Sequence, residues 1–282
     1  MANIIIIEGL PGSGKTTFAQ QLYDDLKALG KNPKRFLEGE MHPIDFAWIA
    51  VLTDEQYQAL LKDYPEDQAA IKAQTTYEND KILLAYTRVR LQQYDPKFYE
   101  QLSAYEIYRL NDLATFLKMH IERIKTFVKT LTSNDTYIFE CIFLQNHINE
   151  LILKYHLSWD EMTHYFHQLY DAFSPNRPFI YHIEQAQPKA TLTALIETRK
   201  PYRWFERVLD YFKTQPYGES LGYTGEAGFF QYFTHRQKME LKLLDELKIP
   251  MQKTILDDDY DKVYHDLKTA FLNRLDVAHD DR

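Results

Sequence analysis

The sequence predicts an α/β fold, a parallel sheet covered by helices, on three observations. Four consecutive isoleucines at residues 4–7 favour extended backbone without a polar interruption. A glycine-rich turn follows and opens directly onto an amphipathic stretch with helical spacing. Beyond it, short apolar segments alternate with helical patterns, as a parallel sheet with helical crossovers requires.

Taken in order, residues 3–8 read as a buried first strand. From Lys15 onward Phe18, Leu22, Leu26 and Leu29 recur at helical spacing, and Gly30 closes the segment as a C-terminal cap. Four more strands are expected at 35–38, 136–144, 178–183 and 251–256, each short, apolar and β-rich. Residues 45–132 are rich in helix formers, with polar breaks at 63–65 and 94–96, and are expected to form a helical insertion. A second excursion, 197–233, carries Gly218, Gly222, Gly225 and Gly228 among aromatics. These glycines lack the preceding strand and following acidic residue of a dinucleotide fingerprint, so a flexible loop is expected there. The chain of 282 residues, 45% hydrophobic, is long enough to be read as one domain, 1–282, carrying these insertions.

The turn Gly9-Leu10-Pro11-Gly12-Ser13-Gly14 joins the first strand to the first helix, and Lys15 and Thr16 complete the pattern G-x-x-x-x-G-K-[ST]. Its glycines let successive backbone N–H groups point into one concavity. The helix N-terminus adds about half a positive charge, and Lys15 adds a full one. A polyphosphate suits that cradle, so Gly9, Gly12, Ser13, Gly14, Lys15, Thr16 and Thr17 are the candidate nucleotide-binding residues.

The stretch IIIIEGLPGSGKTT, residues 4–17, resembles the start of P-loop kinases. Glu8-Gly9 followed by Gly12-Ser13-Gly14-Lys15-Thr16-Thr17 is similar to the opening of thymidylate kinases and related nucleoside and nucleotide kinases. The resemblance implies a P-loop NTPase fold with a five-stranded parallel sheet in the order 2-3-1-4-5. It also implies ATP and magnesium as cofactors, substrate-binding helices within 45–132 and a lid-like excursion at 197–233. The phosphoryl acceptor does not follow from the turn.

Phosphoryl transfer asks a protein for positioning and charge neutralisation. Glu140 lies late in the apolar strand TYIFE, where P-loop proteins carry the acidic residue that holds the magnesium hydration shell opposite the Thr16 hydroxyl, which makes Thr16 and Glu140 the metal candidates. A carboxylate in such a strand is costly unless paired, and a buried structural pair is the alternative. Many nucleoside and nucleotide kinases follow this acid with arginine; here Cys141-Ile142 follows. The stretch LEGEMHPIDFAW brings Glu38, Glu40, His42 and Asp45 just past the second strand, with Gly39 and Pro43 shaping a turn. Deoxynucleoside kinases place a base there for the acceptor hydroxyl, which Glu38 or Glu40 matches; a solvated loop in an acidic protein explains the cluster equally. Arg199, Arg203 and Arg207 share helical spacing in the lid region, but Pro201 interrupts, leaving Arg203 and Arg207 as the catalytic pair. A solvated face with Glu206 and Asp210 is the bland account of them, and Arg236 is a fourth candidate. His164 and His167 stand one turn apart without a third ligand, so no metal site is expected there. The 21 tyrosines are read mainly as packing.

The net charge of −8 argues against a nucleic-acid polymer as partner. No apolar run nears the roughly 20 residues of a membrane span, and no leader pattern precedes the first strand. One cysteine excludes an internal disulfide and suits a reducing compartment, so a cytoplasmic address is expected. The oligomeric state, dimer included, stays open. A GTP switch lacks its Asn-Lys-x-Asp stretch, and a transporter ATPase lacks its Leu-Ser-Gly-Gly signature. The expectation is an ATP- and magnesium-dependent kinase acting on a small, nucleoside- or nucleotide-like acceptor. A regulatory or toxin-like ATP-binding protein is the rival that the missing arginine permits.

Overall fold

The structure, a computed structural model, describes residues 3–38, 40–78, 80–109, 112–132, 135–213, 215–257 and 259–280. In chain order the strands are β1 (Asn3–Gly9), β2 (Asn32–Phe36), β3 (Ala50–Leu52), β4 (Thr75–Glu78), β5 (Lys81–Leu84), β6 (Asp135–Glu140), β7 (Phe179–Gln185) and β8 (Met251–Leu256). The helices are α1 (Lys15–Ala28), α2 (Asp54–Asp63), α3 (Gln68–Ala73), α4 (Pro96–Ser103), α5 (Leu113–Val128), α6 (Gln145–Ile148), α7 (Trp159–Asp171), α8 (Pro188–Arg199), α9 (Trp204–Lys213), α10 (Pro216–Ser220), α11 (Gly225–Leu247) and α12 (Tyr260–Asp280). The chain divides into two compact units, Met1–Arg35 with Thr130–Arg282, and Phe36–Lys129.

The first unit is built on a five-stranded parallel sheet flanked by helices, in the order β2-β6-β1-β7-β8. In whole-chain numbering this differs from 2-3-1-4-5, because three strands intervene in a separate sheet; the five strands alone, taken in chain order, run second, third, first, fourth, fifth. β1 lies at the centre, parallel to β6 and β7, and its isoleucines are buried on both faces. That double burial is why the run is continuous and not alternating.

Strand ends depart from the sequence expectation for local reasons. β2 begins at Asn32 and includes Pro33, which an edge strand tolerates because no neighbour needs the missing N–H. β6 stops at Glu140, not at 144, because Cys141 takes a left-handed φ of 64° and turns the chain out of the sheet. α1 ends at Ala28; Gly30 at φ 72° carries the reversal, and Leu29, expected on the apolar face, is 57% exposed. The glycine segment expected as a flexible loop is largely helical. Gly218 lies in α10 and Gly228 in α11, while Gly222 turns the chain between them at φ 63° and Gly225 opens α11 at φ 58°.

The second unit holds a three-stranded antiparallel sheet, β3-β5-β4, with α2, α3 and α4 around its own apolar core, which includes Tyr57, Leu60, Ile71, Leu84 and Phe98. The insertion expected to be helical is therefore mixed. Its strands are three or four residues long, too short to show an alternation among helix-forming neighbours. Among the described residues no helix is long and apolar enough to cross a membrane.

Candidate functional site

The glycine turn emerges from the C-terminal end of β1, the central strand, between β6 and β7. Gly9 has φ 146°, and a Cβ there would stand 2.7 Å from the Ile183 carbonyl oxygen on β7, so the close approach of the two strands demands glycine. Gly12 and Gly14 follow at φ 85° and 83°, and Ser13 N–H donates to Leu10 O at 3.2 Å across the turn. Gln185 Nε2 donates to Pro11 O at 3.2 Å from the end of β7. The turn is thus held by its neighbours as well as by its own glycines.

Gly14 is the N-cap of α1 and offers no side-chain acceptor, and the first turn of α1 contains no acid. The positive end of the helix dipole is therefore left uncompensated by protein carboxylates from that turn. Lys15 is 6% exposed and its Nζ donates to Gly9 O at 2.8 Å and Leu10 O at 2.9 Å, closing over the turn. Ser13 is fully buried, and its Oγ has no hydrogen-bond partner among the described residues. Thr17 is exposed on the first turn of α1.

Glu140 is brought to this turn by register. It pairs with Ile7 across the sheet at the last position of β6, and its Oε1 accepts from Thr16 Oγ1 at 2.7 Å. Its other oxygen, Oε2, is buried with no hydrogen-bond partner among the described residues. An oxygen acceptor aimed away from solvent, beside a threonine hydroxyl, is a donor set that suits a hard divalent cation carrying its own water. Magnesium fits these residues.

Glu8 has no site role in the sequence pattern, although a lone charge ending an apolar run is a visible signal. It is fully buried, and its carboxylate accepts from the backbone N–H groups of Phe143 at 2.7 Å, Leu144 at 2.9 Å and Gln145 at 3.3 Å. It therefore fastens the segment that turns away after Glu140. Burial pushes its carboxyl up to about 7; the Leu144 amide opposes the rise and the Glu240 charge adds to it.

Behind the turn lies a second polar group that sequence patterning missed. His182, opposite Glu8 in the β1–β7 register, meets Glu240 at 2.8 Å, and Arg236 Nε stands 2.8 Å from the other Glu240 oxygen. Burial raises the Glu240 carboxyl, but Arg236 and His182 outweigh it and hold it below the usual range. Arg236 also donates to Asn149 Oδ1 at 3.2 Å, so this fourth arginine candidate is 1% exposed and engaged inside the unit.

The remaining arginine candidates are exposed. α8 ends at Arg199, a short 3₁₀ turn Lys200–Tyr202 follows, and Arg203 sits at φ 51° before α9 begins. Arg203 thus directly precedes α9 and Arg207 lies in its first turn, with no single helix joining them to Arg199, which stacks on Trp204 at 5.2 Å. His164 and His167 are exposed on α7, and His164 meets Gln168 at 3.0 Å.

The acidic cluster belongs to the second unit, and it separates there. Glu38 is exposed, and Glu40 is half-buried, accepting from Leu37 N–H at 3.1 Å; Gly39 lies outside the described residues. His42 and Asp45 are buried. Asp45 accepts from Tyr108 OH at 2.6 Å and lies 3.7 Å from His120 Nε2, and Arg123 donates to its backbone oxygen at 2.7 Å. Burial pushes the His42 imidazole down to about 3. These two residues fasten the turn that follows Glu38 and Glu40. Neither the known protein-family models nor the curated proteins give a match to this chain.

Proposed function

We propose that the chain binds ATP with magnesium at residues 9–17 and transfers the terminal phosphoryl group to a small, nucleoside- or nucleotide-like acceptor. The observation that carries this reading is the 2.7 Å bond between Thr16 and Glu140, beside a lysine-bearing glycine turn at a helix N-terminus. In this reading the backbone amides of Gly12 to Thr16 bind the phosphates, and Lys15 exchanges its two carbonyl partners for phosphate oxygens. Thr16 and Glu140 hold the magnesium, which when bound neutralises charge on the phosphates. Arg203 and Arg207 supply further positive charge to the transferring group. Glu38 or Glu40 takes the proton of an acceptor hydroxyl.

The test is ADP release with ATP and magnesium over panels of nucleosides, nucleoside monophosphates and hydroxylated antibiotics or sugars. Stimulation by a hydroxyl acceptor is expected, and Glu38→Gln and Glu40→Gln then separate the two candidate bases. Stimulation by monophosphates alone overturns the hydroxyl preference. No stimulation by any acceptor favours an ATP-binding regulatory role. Lys15→Ala should abolish turnover and weaken ATP binding in a folded protein; unchanged ATP affinity removes the glycine turn from the proposal.

A further inference from the structure

We propose that the cleft between α1 and the edge strand β2 binds a small phosphate-bearing anion, held by Arg35, with Lys27 adding charge from over the Tyr23 ring. The cleft has a volume of about 420 Å³ and is lined by Gln20, Tyr23, Pro33, Lys34 and Arg35. That volume falls in the range of about 300–1,000 Å³ typical of small-molecule sites. Arg35 lines the cleft, and Lys27, outside the lining, shares the ring of Tyr23 with it: Lys27 Nζ lies 5.0 Å and Arg35 Cζ 5.5 Å from the Tyr23 centroid.

Their lack of carboxylate partners is what marks the site. In a chain with 41 acids to 33 bases, neither Lys27 nor Arg35 has an ion pair within 4.0 Å among the described residues. Arg35 Nε is shielded from solvent and has no hydrogen-bond acceptor among the described residues. A guanidinium that lines a cleft without a carboxylate partner, over an aromatic ring that a second cation shares, is an arrangement that an anion completes. Lys34 adds no net charge, because it pairs with Asp135 and donates to Tyr137 OH at 3.4 Å. At the rim Asp24 takes the Gln20 amide at 2.8 Å and opposes an incoming anion.

The site is separate from the glycine turn. Tyr23 lies about two helical turns beyond Lys15, roughly 12 Å along α1. The inference therefore does not depend on the kinase reading, and its test is run where anion binding at the turn is weakened.

Backbone amide shifts of the full chain carrying Lys15→Ala are followed by NMR during titration with inorganic phosphate, pyrophosphate or ribose 5-phosphate, at about 150 mM salt to screen diffuse attraction. Saturable shifts centred on residues 20–35 are expected. Arg35→Gln should weaken binding by roughly tenfold or more, as loss of a charge-assisted donor pair predicts. Lys27→Gln, at an exposed position, should act in the same direction and serves if Arg35→Gln fails to fold; Asp24→Asn should tighten binding. Tightest binding of ribose 5-phosphate supports a phosphorylated metabolite, and equal binding of all three supports inorganic phosphate as the ligand of the same site. Non-saturating shifts, an adventitious ion only, overturn the proposal. So do shifts confined to residues 9–17, or binding that neither cation variant changes.

Discussion

At the scale of single residues, two buried carboxylates do different work near the same turn. Glu140 keeps one oxygen on Thr16 and the other unpaired among the described residues, whereas Glu8 spends its oxygens on three backbone amides. Glu140→Gln retains shape and the Thr16 contact but removes the charge. Under the proposed function it should lower turnover by about two orders of magnitude or more, with the fold intact by circular dichroism; full activity across magnesium concentrations would make Glu140 structural. Glu8 predicts a pH effect instead. Its carboxyl titrates near 4.5 when unfolded and near 7 in the fold, so between those values the folded protein keeps a proton that the unfolded chain has lost. The stability owed to protonated Glu8 is full below pH 4.5 and is lost as pH rises through 7, a change of roughly 3 kcal/mol. Thermal melts from pH 4.5 to 7.5 should show this decline in the wild type and a flatter profile in Glu8→Gln. Equal slopes in the two proteins would mean that Glu8 is already ionised at low pH, held so by its amides.

At the scale of elements, the segment 215–228 shows how packing overrides composition. Its four glycines suggest a loop, yet Gly228 sits in α11 because the chain passes over it: a Cβ there would lie 2.4 Å from the carbonyl carbon of Tyr223. Gly228→Ala gains helix propensity of about 1 kcal/mol but forces backbone apart, which costs roughly 1–3 kcal/mol. A net loss of stability in denaturant unfolding is expected, and a more stable variant would show that Tyr223 yields. The β6 end follows the same logic. The residues after Glu140 are apolar enough to continue a strand, but the left-handed Cys141 and the Glu8 carboxylate bind them into a turn.

At the scale of the whole molecule, the second unit contains its own core, with Tyr57, Leu60, Ile82, Leu84, Phe98 and Leu102 all 4% exposed or less. A domain with an internal core is expected to fold alone. The isolated segment 36–129 should therefore give a cooperative thermal transition by circular dichroism; a featureless melt would show that it needs the rest of the chain. The sheet unit in turn holds β1, α1 and β6, so the glycine turn, Thr16 and Glu140 all belong to one body.

The sequence by itself determined the α/β class, the buried first strand, the glycine turn with Lys15 and Thr16, and the five sheet strands to within a few residues. Each of these is written in neighbouring residues: a continuous isoleucine run, glycines at fixed intervals and one helical period. That Glu140 would stand opposite the Thr16 hydroxyl was legible through the resemblance to P-loop proteins; the direct bond between them was not. Tertiary structure alone decided the rest. The amides that Glu8 receives, the meeting of His182 with Glu240, the contacts of Asp45 with Tyr108 and His120, and the approach of Arg35 to Tyr23 each join segments that no local pattern links. A polar residue's sequence neighbours do not tell whether burial will find it a partner, and that partner sets its charge and its role.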